Sequence, residues 1–473
     1  MVGKTKSIAS FIWCRDKYSL RQIIKLERGK LMSGRKSLKR AYIGFEIELF
    51  TLNSSGEVVG GADAILNQAL QGKTEYLKQE CAKNMLEIVS SPHEMVPGAM
   101  SHLLTQLEYA GAIARKNSLH LLPLGCYPGL FNPSMRTEKR YAVQQSLFGE
   151  KKFRIAGRCV GFHCHYTLPK GMFDGQLRML KLLVRSKIKD SLVNSYNFAI
   201  AIDPCLATFM QSSPYYQGRH LGKDSRMIMY RGGEDLESPH GMYADLQEFG
   251  GLPMYKLTAF DILDVIKRRY ERWKSLLIGA GINLKALAMY QSILSLNWSP
   301  VKVNPNGTLE QRGMDMNHLE YIAGVGVFLK SLFRKLQEEH YAVVPSEMGI
   351  REPFKVEKDV IYIPPYSYVR SVLQKASAYE GLENDELHCY CRRLFAFAQK
   401  NAPKDSHILL EPIKKMIRER KTVSDHILDF AKKRGYGRIE PLPQKISAEI
   451  ALTHSHMLQK SIERMQDTLQ RYH

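Results

Sequence analysis

The sequence predicts an α+β fold with a helical C-terminal third, and three observations carry that expectation. Short segments alternate apolar and polar residues at period 2, as where Phe45, Ile47 and Leu49 intercalate with Glu46 and Glu48. Longer segments repeat apolar residues at helical spacing, as at Ile262, Ile266, Trp273 and Leu277. From Asn317 onward the helical pattern dominates, interrupted by an irregular stretch at Pro345 to Pro365.

Residues 1–40 read as a basic N-terminal extension ending in Arg35-Lys36-Ser37-Leu38-Lys39-Arg40, with a short amphipathic helix over Tyr18 to Leu26. The first strand, Gly44 to Phe50, places Glu46 and Glu48 together on one face. Two adjacent carboxylates repel unless a cation joins them, so the strand is either a solvated acidic edge or a divalent-metal face. A turn follows at Asn53 to Gly56, then a helix over Ala62 to Leu70. Met85 to Val89 is a strand that sends Glu87 to the face opposite Leu86 and Ile88. Met100 to Lys116 is a helix, and His120 to Leu124 is a strand closed by Gly125 and Pro128.

In Arg158 to Pro169, His163 and His165 share a strand face, an arrangement suited to metal ligation and also found in ordinary cores. A zinc site from Cys164 or from His388, Cys389 and Cys391 is weaker, because it lacks paired Cys-x-x-Cys spacing. Gln176 to Asn197 reads as a long basic helix. The loop from Gln211 through Arg219 and Ser225-Arg226 to Arg231 offers hydroxyls and forked guanidiniums suited to a carboxylate or phosphate. Thr258 caps the next helix. A turn at Pro305-Asn306-Gly307 then opens a strand on which Glu310 and Arg312 share a face, either a surface ion pair or a metal ligand beside a phosphate-neutralising cation.

The chain has 473 residues, enough for one large domain with extensions or for two to three domains. No secretory signal is expected, since Phe11-Ile12-Trp13 is too short an apolar core, and Tyr321 to Leu329 is too broken by glycine to span a membrane. Eight scattered cysteines fit a reducing, cytoplasmic setting. The net charge of +21 calls for a polyanionic partner: nucleotide phosphate, nucleic acid or an anionic membrane. Gly72-Lys73-Thr74 is no P-loop, because position 67 is Asn where the upstream glycine belongs, and no Gly-x-Gly-x-x-Gly follows a strand.

Five motifs occur in series: Gly44-Phe45-Glu46-Ile47-Glu48, the strand with Glu87, Gly161-Phe162-His163-Cys164-His165, Ser212-Ser213-Pro214 with Ser225-Arg226, and Gly307-Thr308-Leu309-Glu310-Gln311-Arg312. In this order they resemble the family 2 glutamate–cysteine ligases and carboxylate–amine ligases of the glutamine synthetase superfamily, over about residues 41–330. The resemblance implies a curved, mainly antiparallel sheet flanked by helices, with a catalytic domain at 41–340 and a mainly helical region at 341–473. It implies that Glu46, Glu48, Glu87, His163 and Glu310 hold Mg2+ or Mn2+, and that Arg312 meets the transferring phosphate with Lys302 as a nearby cation. It further implies that Arg226 engages the amino-acid substrate or the phosphate, with Ser225 and Arg219 as substrate-binding helpers. The implied reaction is ATP-dependent: a γ-carboxylate of glutamate or a similar acid becomes an acyl phosphate, an amine such as cysteine attacks it, and ADP and phosphate leave, a chemistry of glutathione biosynthesis.

Two departures stand out. The family's run of three acids is broken by Ile47, which points away from Glu46 and Glu48, and Ser299 and Pro300 follow Trp298 where the family carries an acid and an arginine. A reading from another class is a non-catalytic basic protein on the same scaffold, contacting nucleic acid or membrane through Lys414 to Lys421 and Lys432 to Arg438. The apolar stripe Ile450, Met457, Leu458, Ile462, Met465 and Leu469 is expected to pack in the core, with a homo-oligomer contact as its second use.

Overall fold

A computed structural model describes residues 41–472, apart from Lys73 and residues 182–185. The basic N-terminal extension and its amphipathic segment lie outside the described residues. From Ala41 onward the chain is one compact unit, so the boundary expected at residue 340 does not separate two bodies.

Seven strands form the main sheet: β1 (Ile43–Leu52), β2 (Leu77–Gln79), β3 (Met85–Val89), β4 (His120–Leu122), β5 (Gly161–Thr167), β6 (Val301–Asn304) and β7 (Thr308–Asp315). Their order is β6-β7-β5-β1-β3-β2, with β4 pairing with the end of β1, and every pairing is antiparallel. The expected α+β architecture is thus observed. Because β1 is central and ten residues long, it pairs with three strands, and its odd-numbered apolar side chains Phe45, Ile47 and Leu49 are fully buried.

The apolar face rests on helices. Among them are α1 (Val96–Lys116), α2 (Lys187–Met210), α3 (Ser225–Arg231), α4 (Ala259–Gly279) and α5 (Leu319–Glu338). α5 passes so close under β1 that a Cβ on Gly326 would sit 2.7 Å from the Phe45 ring. The glycines that break this segment's hydropathy therefore serve packing. α4 begins with a reciprocal capping box between Thr258 and Asp261, and buries Ile262, Ile266, Trp273 and Leu277 as its spacing predicts.

Two expectations fail. The helix expected over Gln176 to Asn197 begins at Lys187 and runs to Met210. Asp174 accepts hydrogen bonds from the backbone N–H groups of Gln176 and Leu177, which turns the chain into a hairpin of two-residue strands at Phe173–Asp174 and Met179–Leu180. The later half of α2 is buried all round, so it shows no amphipathic period. Pro345 to Pro365 is also not irregular throughout: Ala342–Pro345, Val356–Glu357 and Val360–Ile363 form a small sheet of strands too short to show a period.

Of the C-terminal helices, Asp385–Asn401 and His407–Glu419 pack on α5; α6 (Val423–Lys433) packs on α7 (Gln444–Tyr472), and α7 packs on α5, α1 and β4. Their basic stretches are ion-paired at the surface, as in Arg420–Asp385 (2.7 Å) and Lys421–Asp429 (2.5 Å). Ile450, Leu458, Ile462, Met465 and Leu469 of α7 are buried, while Met457 is half-exposed. Among the described residues no helix is long and apolar enough to cross a membrane.

At the start of α5, His318 stacks on His454 of α7, with Nε2 of the first 3.0 Å from Nδ1 of the second. Burial, reinforced by Arg464, holds His318 down at about 4, and burial with His318 itself holds His454 well below the usual range. An imidazole depressed on folding contributes stability above its unfolded value of about 6.5 and loses it as pH falls toward its folded value. Unfolding free energy should therefore drop between about pH 6.5 and pH 4, His318 alone accounting for on the order of 3 kcal/mol. Denaturant titrations at several pH values check this, and the His454→Phe variant should show a smaller drop.

Candidate active-site cleft

The sheet's other face lines a cleft of about 230 Å³. Cross-strand register assembles its charged groups. Glu48 stands opposite Glu87, Glu46 opposite His163, His165 opposite Glu310, and Lys302 opposite Glu310. Because period 2 sends all of these to one side, five strands build a continuous charged row.

Each carboxylate has a distinct set of neighbours. Glu46 lies 3.2 Å from His163 Nδ1 and 3.3 Å from His165 Nε2. Burial pushes its carboxyl up, but the two imidazoles outweigh burial and hold it well below the usual range. Glu48 accepts a 2.6 Å hydrogen bond from the backbone N–H of Gly161. Among the described residues Glu87 has only Lys78 within ion-pair reach, 3.5 Å away, and burial together with Glu46 and Glu80 raises its carboxyl well above the ordinary value. Glu310 is nearly inaccessible and meets Lys302 at 3.3 Å, Arg312 at 3.1 Å and Asn304 at 2.5 Å. Burial would raise it, yet Lys302, Arg312 and His165 bring it down to about 2.

Arginines close the row at its far side. β7 is irregular between Gln311 and Met314, and Arg312 sits in that irregularity with its backbone N–H on Pro300 O. Arg226, in the first turn of α3, reaches past Gly161, where a Cβ would lie 2.4 Å from the guanidinium. Only glycine admits that approach while giving its N–H to Glu48. The Arg226 guanidinium also lies 5.4 Å above the Tyr230 ring. Asp224 caps this helix on Met227 N–H, and Ser213 Oγ accepts the Arg226 N–H, so the Ser-Ser-Pro and Ser-Arg segments meet as one clamp base.

The sequence-predicted residues Glu46, Glu48, Glu87, His163, Lys302, Glu310, Arg312 and Arg226 all line the cleft. Two others do not. Ser225 is fully buried behind Arg226, on the first turn of α3, where the preceding Asp224 cap turns it from the cleft. Arg219 is exposed on a two-residue strand opposite Tyr216 and is not among the residues that line the cleft. Both placements have one cause: the segment is a hairpin and a helix, and adjacent residues there diverge. Glu80 is a site residue that the sequence reading does not name. His165, paired with His163 by strand parity but left out of the ligand set implied by the resemblance, stands opposite Glu310 and 3.3 Å from Glu46. Glu80 lies in a turn before β3, where periodicity assigns no face, and burial with Glu48 raises its carboxyl to about 7.

Three donor groups converge closely enough for a metal: Glu46 with Glu87 and His163, Glu46 with His165 and Glu310, and Glu48 with Glu80 and Glu87. Within each, one ligand atom per residue lies within 4.8 Å of the others. His163 Nε2 and His165 Nε2 are buried without a hydrogen-bond partner, although carboxylates stand near. The majority of carboxylate oxygens in these groups fits a hard divalent cation such as Mg2+ or Mn2+, with the unpaired ring nitrogens as additional donors. The zinc alternative finds no support: Cys164 is buried on the opposite, apolar face, and His388 Nε2 lies 2.9 Å from Ile417 O.

The family model for glutamate–cysteine ligase family 2 matches residues 42–440. Among solved structures, the chain is similar to glutamate–cysteine ligase from Francisella tularensis in complex with AMP, with a TM-score of 0.53 and 14% identity over 92% of this chain and 93% of that one. It is also similar to a bifunctional glutathione synthetase from Pasteurella multocida, with a TM-score of 0.53 and 13% identity over 89% of this chain. The chain spans about half, 53%, of that enzyme's length. At these identities the structural likeness shows the fold alone. No curated protein matches the sequence.

Glu310 is the sole carboxylate within ion-pair reach of both Lys302 and Arg312 among the described residues. Glu310→Gln should therefore destabilise the fold by about 3–5 kcal/mol, the cost of leaving buried cations uncompensated. Adding Lys302→Met should recover part of that loss. Urea denaturation of the single and double variants checks both outcomes.

Proposed function

The chain belongs to glutamate–cysteine ligase family 2, and from that membership we propose that it is an ATP-dependent carboxylate–amine ligase acting on glutamate or a similar acid and an amine such as cysteine. The observation that carries this reading is the row of carboxylates and imidazoles ending at Arg312 and Lys302. A carboxylate is a poor electrophile and must be activated before an amine attacks. Transfer of the γ-phosphoryl group of ATP forms a P–O bond to the carboxylate and breaks the bond to ADP. Attack by the amine then forms the amide, and phosphate leaves with the acyl C–O bond while the amine gives up its proton.

Phosphoryl transfer needs positioning and charge neutralisation more than covalent help. In this reading Glu46, Glu48, Glu87, His163 and Glu310, with His165 and Glu80 beside them, would hold Mg2+ or Mn2+, which when bound neutralises phosphate charge. Arg312 presents its guanidinium to the transferring group, kept in place by Glu310. Lys302 adds a second cation, although burial lowers its pKa against the pull of Glu310. Arg226 orients the acid substrate through a forked contact that its Ser213 and Asp224 supports hold rigid. Trp298, stacked on Tyr243, forms the apolar wall that excludes water from the acyl phosphate. The ordinary setting is the reducing cytoplasm, consistent with the free cysteines of the described chain.

Incubating the protein with ATP, Mg2+ and pooled amino acids, then identifying products by mass spectrometry, tests the reading. A γ-linked amide with stoichiometric ADP is expected, and AMP as the product would sink the acyl-phosphate route.

Two variants separate the assigned roles. Glu87→Gln, at a position whose nearest cation is the half-exposed Lys78, should raise the metal concentration needed for half-maximal rate and recover with more Mg2+ or Mn2+. Arg312→Ala should lower kcat about 10²–10³-fold without changing metal dependence, and Arg312→Lys should recover little, because a point charge lacks the fork. Initial rates against metal concentration distinguish the two patterns.

A further inference from the structure

A second cavity, sharing no lining residue with the cleft, opens between α6 and α7 over the start of α5 and measures about 380 Å³. Its walls are regular. α6 contributes Val423, His426, Ile427 and Phe430, and α7 contributes Ile450, Thr453, His454 and Met457. Both sets recur at i, i+3, i+4 and i+7, so each helix turns a whole face toward the space. Apolar faces at this spacing ordinarily close on each other. Here they are held apart, and the gap lies within the size range of small-molecule pockets, about 300–1,000 Å³.

The polar groups at its base are unusual for a mere packing defect. His318 is 2% exposed, and its Nε2 engages His454. Its other ring nitrogen, Nδ1, is buried with no partner. A buried ring nitrogen left unpaired is costly, but Nδ1 has almost no accessible surface, so the nitrogen of this pair left to meet an occupant is Nε2 of His454, which lines the cavity. No free carboxylate is on offer to an occupant: Glu320, the lining carboxylate, is already engaged by Arg464 at 2.7 Å and by Ser461. A cationic ligand would therefore enter without a counter-charge from the lining, and the exposed imidazole of His426 stands at the wall rather than at the base, whereas a neutral head meets the imidazole pair as either donor or acceptor, because the pair can shift its tautomer.

We propose that this cavity is a binding site for a small aromatic molecule carrying one neutral hydrogen-bonding group, of the phenol or indole class. The ring lies between Ile427, Phe430 and Ile450, and the polar group meets the His318–His454 pair.

The test uses the full chain with indole, phenol and indene as probes, followed by protein-observed NMR or calorimetry. Indole and phenol should bind saturably, with dissociation constants of about 1 mM or tighter for ligands of this size. Indene, which has the shape of indole without the N–H, should bind at least about tenfold more weakly, the worth of one hydrogen bond to a buried group. Thr453→Trp and Met457→Trp fill the space from one wall, and either variant, once shown folded by circular dichroism, should lose indole binding. Absence of saturable indole and phenol binding would overturn the proposal. So would equal affinity for indene, or binding that survives in both folded tryptophan variants.

Discussion

Four carboxylates crowd one face of a single sheet, and their mutual repulsion governs the structure around them. Glu46, Glu48, Glu87 and Glu310 are brought together by strand register, with Glu48 and Glu87 directly opposed. The protein answers that repulsion unevenly. At the β7 side, Glu310 is saturated by Lys302, Arg312 and Asn304 and stays ionised down to about pH 2. At the β3 side, Glu87 and Glu80 have too few cations and are pushed upward by burial and by neighbouring carboxylates, Glu48 for Glu80 and Glu46 with Glu80 for Glu87. The gradient runs from protein-supplied positive charge to a deficit of it. In the proposed reaction this gradient would favour a divalent cation toward the deficient end and the phosphate where the guanidinium stands, with Glu310 reached through the group it forms with Glu46 and His165.

The apolar side of the sheet makes this crowding tolerable. A charged face can be concentrated on one side only if the other side is fixed, since a one-residue slip would exchange the two sets. Phe45 against Gly326, Ile47 and Leu49 in the core, and the three partners of β1 pin that register. Gly161 then performs two tasks at once, giving its N–H to Glu48 and leaving room for Arg226.

Much of this was legible in the sequence because it follows from period 2. Glu46, Glu48, Glu87, His163 and Glu310 were each assigned a face from strand parity, and their common cleft follows from the order of pairing. The misses follow from the places where parity says nothing. Glu80 sits in a turn, Arg219 and Ser225 in a segment that changes from hairpin to helix, and α2 in a stretch buried on all sides. The cavity between α6 and α7 was hidden for another reason: its stripes have the period of ordinary packing, and only the third dimension shows that they do not meet. The N-terminal expectation lies outside the described residues.

The carboxylate row is proposed as a divalent-cation site, and equilibrium titration of Mn2+ followed by electron paramagnetic resonance is its sharpest test, since free Mn2+ is visible and bound Mn2+ is not. Saturable binding by the unmodified chain is expected, weakened at least about tenfold by Glu46→Gln, which removes a carboxylate shared by two of the three donor groups. Absence of saturable binding, or identical titrations for the unmodified chain and a folded Glu46→Gln variant, would contradict it.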